Sequence, residues 1–228
     1  MKTLALCTLI SSLAFSAFSQ TEPGKAVPEK PGKKGWIELF DGKTLSGWSA
    51  VDPGQWEVKD GILIGQGNVS HLFSPNTYTN MEFKAEVRTK PNANSGMYFH
   101  AERGSGWPKG YEAQVNNTYK DPQKTGGLYN FHKIMESPTK DNEWWTQHIV
   151  AIGNRTIIKV NDKVVTDYVD EKNTFKSGHL AFQQHDPGSY VEYRNVIVKR
   201  LSNDEKEALK EASKDLPELK KEKKAKSK

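Results

Sequence analysis

The chain has 228 residues, 27% of them charged, with one cysteine and a formal charge of +5. Residues 35–200 hold nineteen Lys/Arg and nineteen Asp/Glu, so the surplus sits in the two ends; a phosphate-binding face needs it on the folded body, which excludes nucleic acid as a partner. Cys7 lies in the apolar leader, leaving residues 20–228 without thiol, and so without disulfide, metal-thiolate site or cysteine nucleophile.

In chain order, residues 1–19 join one Lys, an apolar run and small residues at Ala17 and Ser19. That is the plan of a secretory signal peptide cut after Ser19, and it predicts a periplasmic or secreted protein. The run is short for a membrane span and no second one follows. Residues 20–34, rich in Pro, Gly and Lys, read as a flexible linker.

Residues 35–201 suit one domain. Runs at 56–58, 61–64, 81–88, 96–100, 111–116, 147–152, 156–160, 164–168, 178–184 and 190–200 are rich in β-branched and aromatic residues. Turn signals such as Asp41-Gly42, Asp60-Gly61, Gly153-Asn154 and Asn161-Asp162 separate them. The spacing predicts an all-β fold of two stacked antiparallel sheets, a sandwich or jelly roll. Residues 202–228 read as a charged tail with a short helix capped at Ser202 or Asn203 and a disordered end, dispensable to the domain.

Alternation within the strands locates a candidate site. Tyr111, Ala113 and Val115 point one way, and Glu112, Gln114 and Asn116 the other. If the preceding strand pairs in register, Tyr98 and His100 share the polar face. Ala181, Gln183 and His185 form a similar set, opposite Leu180, Phe182 and Gln184. In residues 81–88, Phe83, Ala85 and Val87 are core, while Glu82, Lys84, Glu86 and Arg88 read as a solvated, ion-paired face. Trp107, between Gly106 and Pro108, is the tryptophan placed to present its ring from a loop. His71, His132, His148 and His179 lack metal-ligand spacing and read as structural or surface residues. His100, Glu112 and His185 offer the one conceivable divalent-cation set, and no cofactor is required.

Residues 39–48 (LFDGKTLSGW), Asn94-Ser-Gly96, residues 110–117 (GYEAQVNN), residues 125–129 (TGGLY), Glu143-Trp144 and residues 193–196 (YRNV) occur in this order. This ordered set resembles the 3-keto-disaccharide hydrolase domain family over about residues 35–201. The resemblance implies a concanavalin-A-like lectin/glucanase jelly roll, exported from bacteria and acting on an oligosaccharide or glycoside oxidised to a ketone at C3. A C3 ketone acidifies the C2 hydrogen, so a base removes it, the C1 oxygen leaves, and water adds back. Such chemistry needs a base near C2, a donor at the C3 oxygen and an acid at the glycosidic oxygen.

Glu112, His100 and His185 are the candidate proton carriers, with Glu112 as base. Gln114, Asn116, Gln183, Tyr98, Tyr129 and, by stacking, Trp107 are candidate sugar contacts, and Lys109 or Lys133 the candidate for polarising the ketone. Gln114 and Asn117 stand where a two-carboxylate glucanase strand carries acids, which disfavours that route unless Glu82 or Glu102 supplies a partner. Three readings stay open: an enzyme, a lectin-like module using the same face, and an interaction domain. For Glu112, a structural ion pair stays open too.

Overall fold

The computed structural model describes Ala26, residues 28–214, Leu216 and Leu219; the expected signal segment lies outside the described residues. The strands are β1 Trp36–Glu38, β2 Ser49–Val51, β3 Gln55–Lys59, β4 Ile62–Gln66, β5 Ser70–Tyr78, β6 Met81–Thr89, β7 Asn94–Ala101, β8 Tyr111–Asn116, β9 Trp145–Ile152, β10 Arg155–Val160, β11 Lys163–Val169, β12 Gly178–Gln184 and β13 Val191–Arg200, followed by helix α1 Glu205–Ala212. One sheet runs β11-β10-β9-β6-β13-β4-β3, with β1 added on β13, and the other runs β2-β5-β12-β7-β8. This is the all-β, two-sheet antiparallel jelly roll expected.

The alternating apolar residues fill the space between the sheets. Tyr111, Ala113 and Val115 of β8 join Phe83, Ala85 and Val87 of β6 in one cluster with Leu180 and Phe182 of β12. Trp48 stacks on Phe182 at 5.5 Å, and Phe182 on Tyr193 at 4.0 Å. Burying each such ring removes apolar surface from water and contributes roughly 2–3 kcal/mol. The outer face of β6 carries the expected cross-strand pairs, Glu86 with Arg194 at 2.7 Å and Arg88 with Glu192. Glu82 is buried on that same face, accepting from His148 at 3.0 Å and Lys199 at 3.2 Å.

Strands β1, β2 and β5 have no counterpart among the sequence-predicted runs. In β5, SHLFSPNTY, Pro75 and the polar residues mask the strand. Its pairing with β12 shifts register between His179 and Ala181, and Pro75 falls in that gap, where a missing N–H costs little. Ser74 repairs the gap by accepting from the Leu180 N–H at 3.0 Å.

Two terminal expectations need correction. Glu29, placed by sequence in a flexible linker, is bound by Tyr78 at 2.6 Å, Asn76 at 2.8 Å and Arg200 at 2.5 Å. Helix α1, capped by Asp204 rather than Ser202 or Asn203, is not an independent tail. Its Ala208 and Ala212, with Leu201 and Leu216, pack on Val150, Ile152 and Ile157 of the eight-stranded sheet.

Candidate active site

The outward face of the five-stranded sheet carries the site. Tyr98 pairs with Glu112, Gly96 with Gln114 and Asn94 with Asn116 across β7 and β8, while Ala181 pairs with Tyr98 across β12 and β7. Their side chains therefore share one face with Gln183. Above them lies a cavity of about 510 Å³, lined by residues including Asn94, Tyr98, Trp107, Glu112, Gln114, Tyr129, Gln183 and His185. A larger space of about 800 Å³ lies between residues 28–33 and Trp36, Leu39 and Trp48. Two of its three carboxylates are engaged, Glu29 as described and Asp41 by the Lys43 and Thr44 amides of its own turn, and the third, Glu38, is exposed. Of the residues with buried polar atoms left without a partner, none lines this space and Gln183 lines the smaller cavity, which makes the smaller cavity the candidate site.

Glu112 is 8% exposed on the cavity floor. The Tyr98 hydroxyl donates to its Oε2 at 2.8 Å, and Gln183 Nε2 donates to that hydroxyl at 3.1 Å. The Gln114 carboxamide lies 2.9 Å from Glu112 Oε1; with its nitrogen turned inward it donates there and to the Ser95 carbonyl at 3.0 Å. Burial pushes the Glu112 carboxyl up to about 8; the Tyr98 bond pulls it down and the nearby Asp121 charge adds to the rise. Glu112 is thus a carboxyl that exchanges its proton near neutrality, and among the described residues no cation is paired to it. The alternative of a structural ion pair is removed.

His185 stands on the cavity wall, its Nδ1 3.1 Å from Asp186 Oδ2 and its ring between Trp107 (5.2 Å) and Tyr119 (5.3 Å). Trp107 is 58% exposed, on a loop held by Asp52, which accepts from Ser105 and from the Gly106 N–H at 2.9 Å. Tyr129 lines the cavity and donates to Asp121 at 3.0 Å.

Four expected site residues lie elsewhere. His100 has its ring nitrogens against the carbonyls of Phe175 (3.0 Å) and Thr79 (2.7 Å), and burial lowers its pKa. The cause is a bulge: His179 pairs with Ala101 but Ala181 with Tyr98, so β7 carries an extra residue and His100 adopts φ +51°. Its ring turns from Tyr98 toward Phe99 and Tyr111. The cation set of His100, Glu112 and His185 is therefore not assembled, and no three His, Asp or Glu among the described residues converge on a metal position. Asn116 is buried under the following loop, donating to the carbonyls of Asp121 (3.0 Å) and Gln123 (2.8 Å). Lys109 is exposed beside Glu102 at 3.7 Å, and Lys133 is exposed outside the lining. Glu102 is thus at the surface and Glu82 on the other sheet, so neither joins Glu112.

Sequence reasoning missed Asn94, Asp121 and His71. His71 is fully buried on β5, edge-on to Tyr98 at 5.5 Å and to Trp107 at 5.8 Å. The readable signal for Asn94 was its place two residues before Gly96 in an alternating strand.

The model of the 3-keto-alpha-glucoside-1,2-lyase-like domain family matches residues 35–199. The chain belongs to that family. A 3-keto-disaccharide hydrolase of Bacteroides thetaiotaomicron is 21% identical over 169 residues, a match taking in 59% of this chain and 58% of that protein. The chain thus spans little more than half of that relative's length. Among solved structures, a putative glycosyl hydrolase from Parabacteroides distasonis superposes with a TM-score of 0.66 at 23% identity, covering 77% of this chain and 98% of that one. A Bacillus licheniformis β-glucanase superposes at 0.53 with 12% identity over 73% of this chain and 97% of its own. These likenesses establish the fold of this member of the lyase-like family, and its chemistry rests on the cavity.

Proposed function

We propose that this protein cleaves the glycosidic bond of 3-keto-glycosides by elimination, with Glu112 as the base. One observation carries the reading: the cavity lining contains a single carboxyl, buried, without a cation and poised near neutrality. A glycosidase working through two carboxylates needs a second acid across the scissile bond. Elimination needs one base, and a purely sugar-binding face has little use for a carboxyl tuned this way.

In the proposed course, the Glu112 carboxylate takes the C2 proton and the C2–H electrons form the C2–C3 double bond of an enolate. The Asn94 amide, in the cavity lining, holds the C3 oxygen as its charge grows, in place of the lysines expected from sequence, while Gln114 orients the carboxylate. The enolate collapses, the C1–O bond breaks, and His185, oriented by Asp186, protonates the departing oxygen. A C1–C2 alkene conjugated to the ketone remains. Addition of water at C1, with the water's proton taken by His185 and the Glu112 proton returned to C2, makes the net result hydrolysis and restores both groups. Export through residues 1–19 belongs to this proposal, on the strength of the leader's apolar run and small residues.

The test is incubation with 3-keto-trehalose beside trehalose, following glucose release and the conjugated ketone by absorbance. Release from the oxidised sugar alone, lost in Glu112→Gln, is the expected result. Equal cleavage of trehalose, or undiminished turnover in Glu112→Gln, defeats the assignment.

A further inference from the structure

Behind the Trp107 wall two polar side chains are buried side by side with unused hydrogen-bonding capacity. Neither ring nitrogen of His71 has a hydrogen-bond partner, and Gln183 has none on Oε1. The residues are 0% and 2% exposed and are cross-strand partners of β5 and β12, on the same face as Tyr98. Burial holds His71 neutral, its pKa lowered to about 4. A neutral imidazole offers one N–H and one lone pair, and Gln183 Oε1 offers a further acceptor. That set complements two neighbouring sugar hydroxyls. Buried polar groups left unmade are destabilising, and in a native fold such a pair points to a partner that arrives later.

Trp107 stands edge-on over His71, while Gln183 reaches the cavity beside it. Its loop contains Gly104 and Gly106, around which a Cβ would meet nothing within 4 Å, and Gly106 has φ +79°. The tether at Asp52 holds Ser105 and Gly106, just before Trp107, and leaves the indole resting edge-on upon His71 and tilted against His185.

We propose that the Trp107 indole is a swinging cover over a second sugar subsite, in which His71 and Gln183 bind the hydroxyls of the leaving-group ring. The proposal rests on the reading that the cavity takes a 3-keto-glycoside, and it adds where the second ring goes. The ring turns the indole aside, stacks on its face, and satisfies the two buried groups. Specificity follows: a glycoside with a sugar leaving group gains these bonds, and one with a methyl leaving group does not.

The experiment uses the full chain carrying Glu112→Gln, with calorimetric titration of 3-keto-trehalose and of methyl 3-keto-α-glucoside. Adding His71→Phe should weaken 3-keto-trehalose about 10-fold or more and leave the methyl glycoside within about 2-fold, since a buried bond to a sugar hydroxyl is lost. It should also raise Tm by a few degrees, because an unpaired buried imidazole is replaced by an apolar ring. A fallen Tm with unchanged affinities, or equal loss for both ligands, overturns the subsite. Ring ¹⁵N signals of His71 in the Glu112→Gln chain give a second readout, independent of how His71→Phe folds. They should move with 3-keto-trehalose and not with the methyl glycoside; no movement with either bound ligand overturns it. Failure of the Glu112→Gln chain to bind either ligand instead strikes the parent reading, and the subsite falls with it.

Discussion

Gly96 lies directly beneath the Glu112 carboxylate. A Cβ built on Gly96 would stand 2.2 Å from Glu112 Oε1 and 2.7 Å from its Cγ, inside any allowed contact. Strand β7 therefore leaves a side chain out at this position so that the carboxyl can fold across it toward Tyr98. The glycine of Asn94-Ser-Gly96 is a space requirement of the base, not a turn.

Gly96→Ala should accordingly cost about 100-fold or more in kcat/KM on a 3-keto-glycoside, since about 1 Å of misplacement at a reacting group has that effect. Combined with Glu112→Ala, the same substitution should cost at least about 1 kcal/mol less stability than it does alone, because the clash partner is gone. Urea denaturation of the four chains measures it; strictly additive losses would mean the two side chains do not meet.

The rate should depend on pH through Glu112. As a base it works ionised, and burial places its pKa at about 8. The Glu112 limb of kcat/KM should therefore rise with pH through about 8, and a fall at still higher pH belongs to the acid, His185. A profile that falls through the same range would make the group an acid and reverse its role.

Stability should move the opposite way. The folded Glu112 carboxyl, at about 8, lies above its ordinary 4.5, so between these values the folded chain holds a proton that the unfolded chain releases. The stabilisation is complete below about 4.5 and is lost as pH rises through 8. Glu112→Gln, permanently neutral, should gain on the parent as pH increases from 5 to 9, by a few degrees of Tm at the upper end. A pH-independent difference would show that the carboxyl is not held neutral by burial.

Truncation after Leu201 should lower stability by about 3 kcal/mol, since it exposes Val150, Ile152 and Ile157 and removes Ala208, Ala212 and Leu216 from their packing. The single change Ala208→Asp, at a fully buried position, should reproduce much of the loss. Thermal melts of both chains decide it, and an unchanged Tm would return α1 to the status of a tail.

The alternation in 111–116 and 180–185 was readable because a strand's side-chain period is two, and one buried face makes the register unambiguous. The same rule misled at His100, where the extra residue in β7 shifts the phase by one and turns the imidazole from the cavity. It was silent on His71, because Pro75 and a run of polar residues hide β5. Asn116 sits on the correct face but is consumed by the loop carrying Asp121 and Gln123, a contact between segments that no periodicity records. Lys109 and Lys133 were chosen for charge alone, and charged side chains remain in water unless something pairs them.

Local pattern was enough for the all-β class, the inward set of Phe83, Val87, Val115 and Phe182, and a polar face bearing Glu112, Gln114 and Gln183, because these follow from covalent alternation and the cost of wetting apolar groups. The meeting of Glu112 with Tyr98 and Gln183, its isolation from any cation, and the burial of His71 behind Trp107 came from packing alone. Desolvation and long-range pairing depend on which strands lie side by side, and that is a property of the assembled sheets.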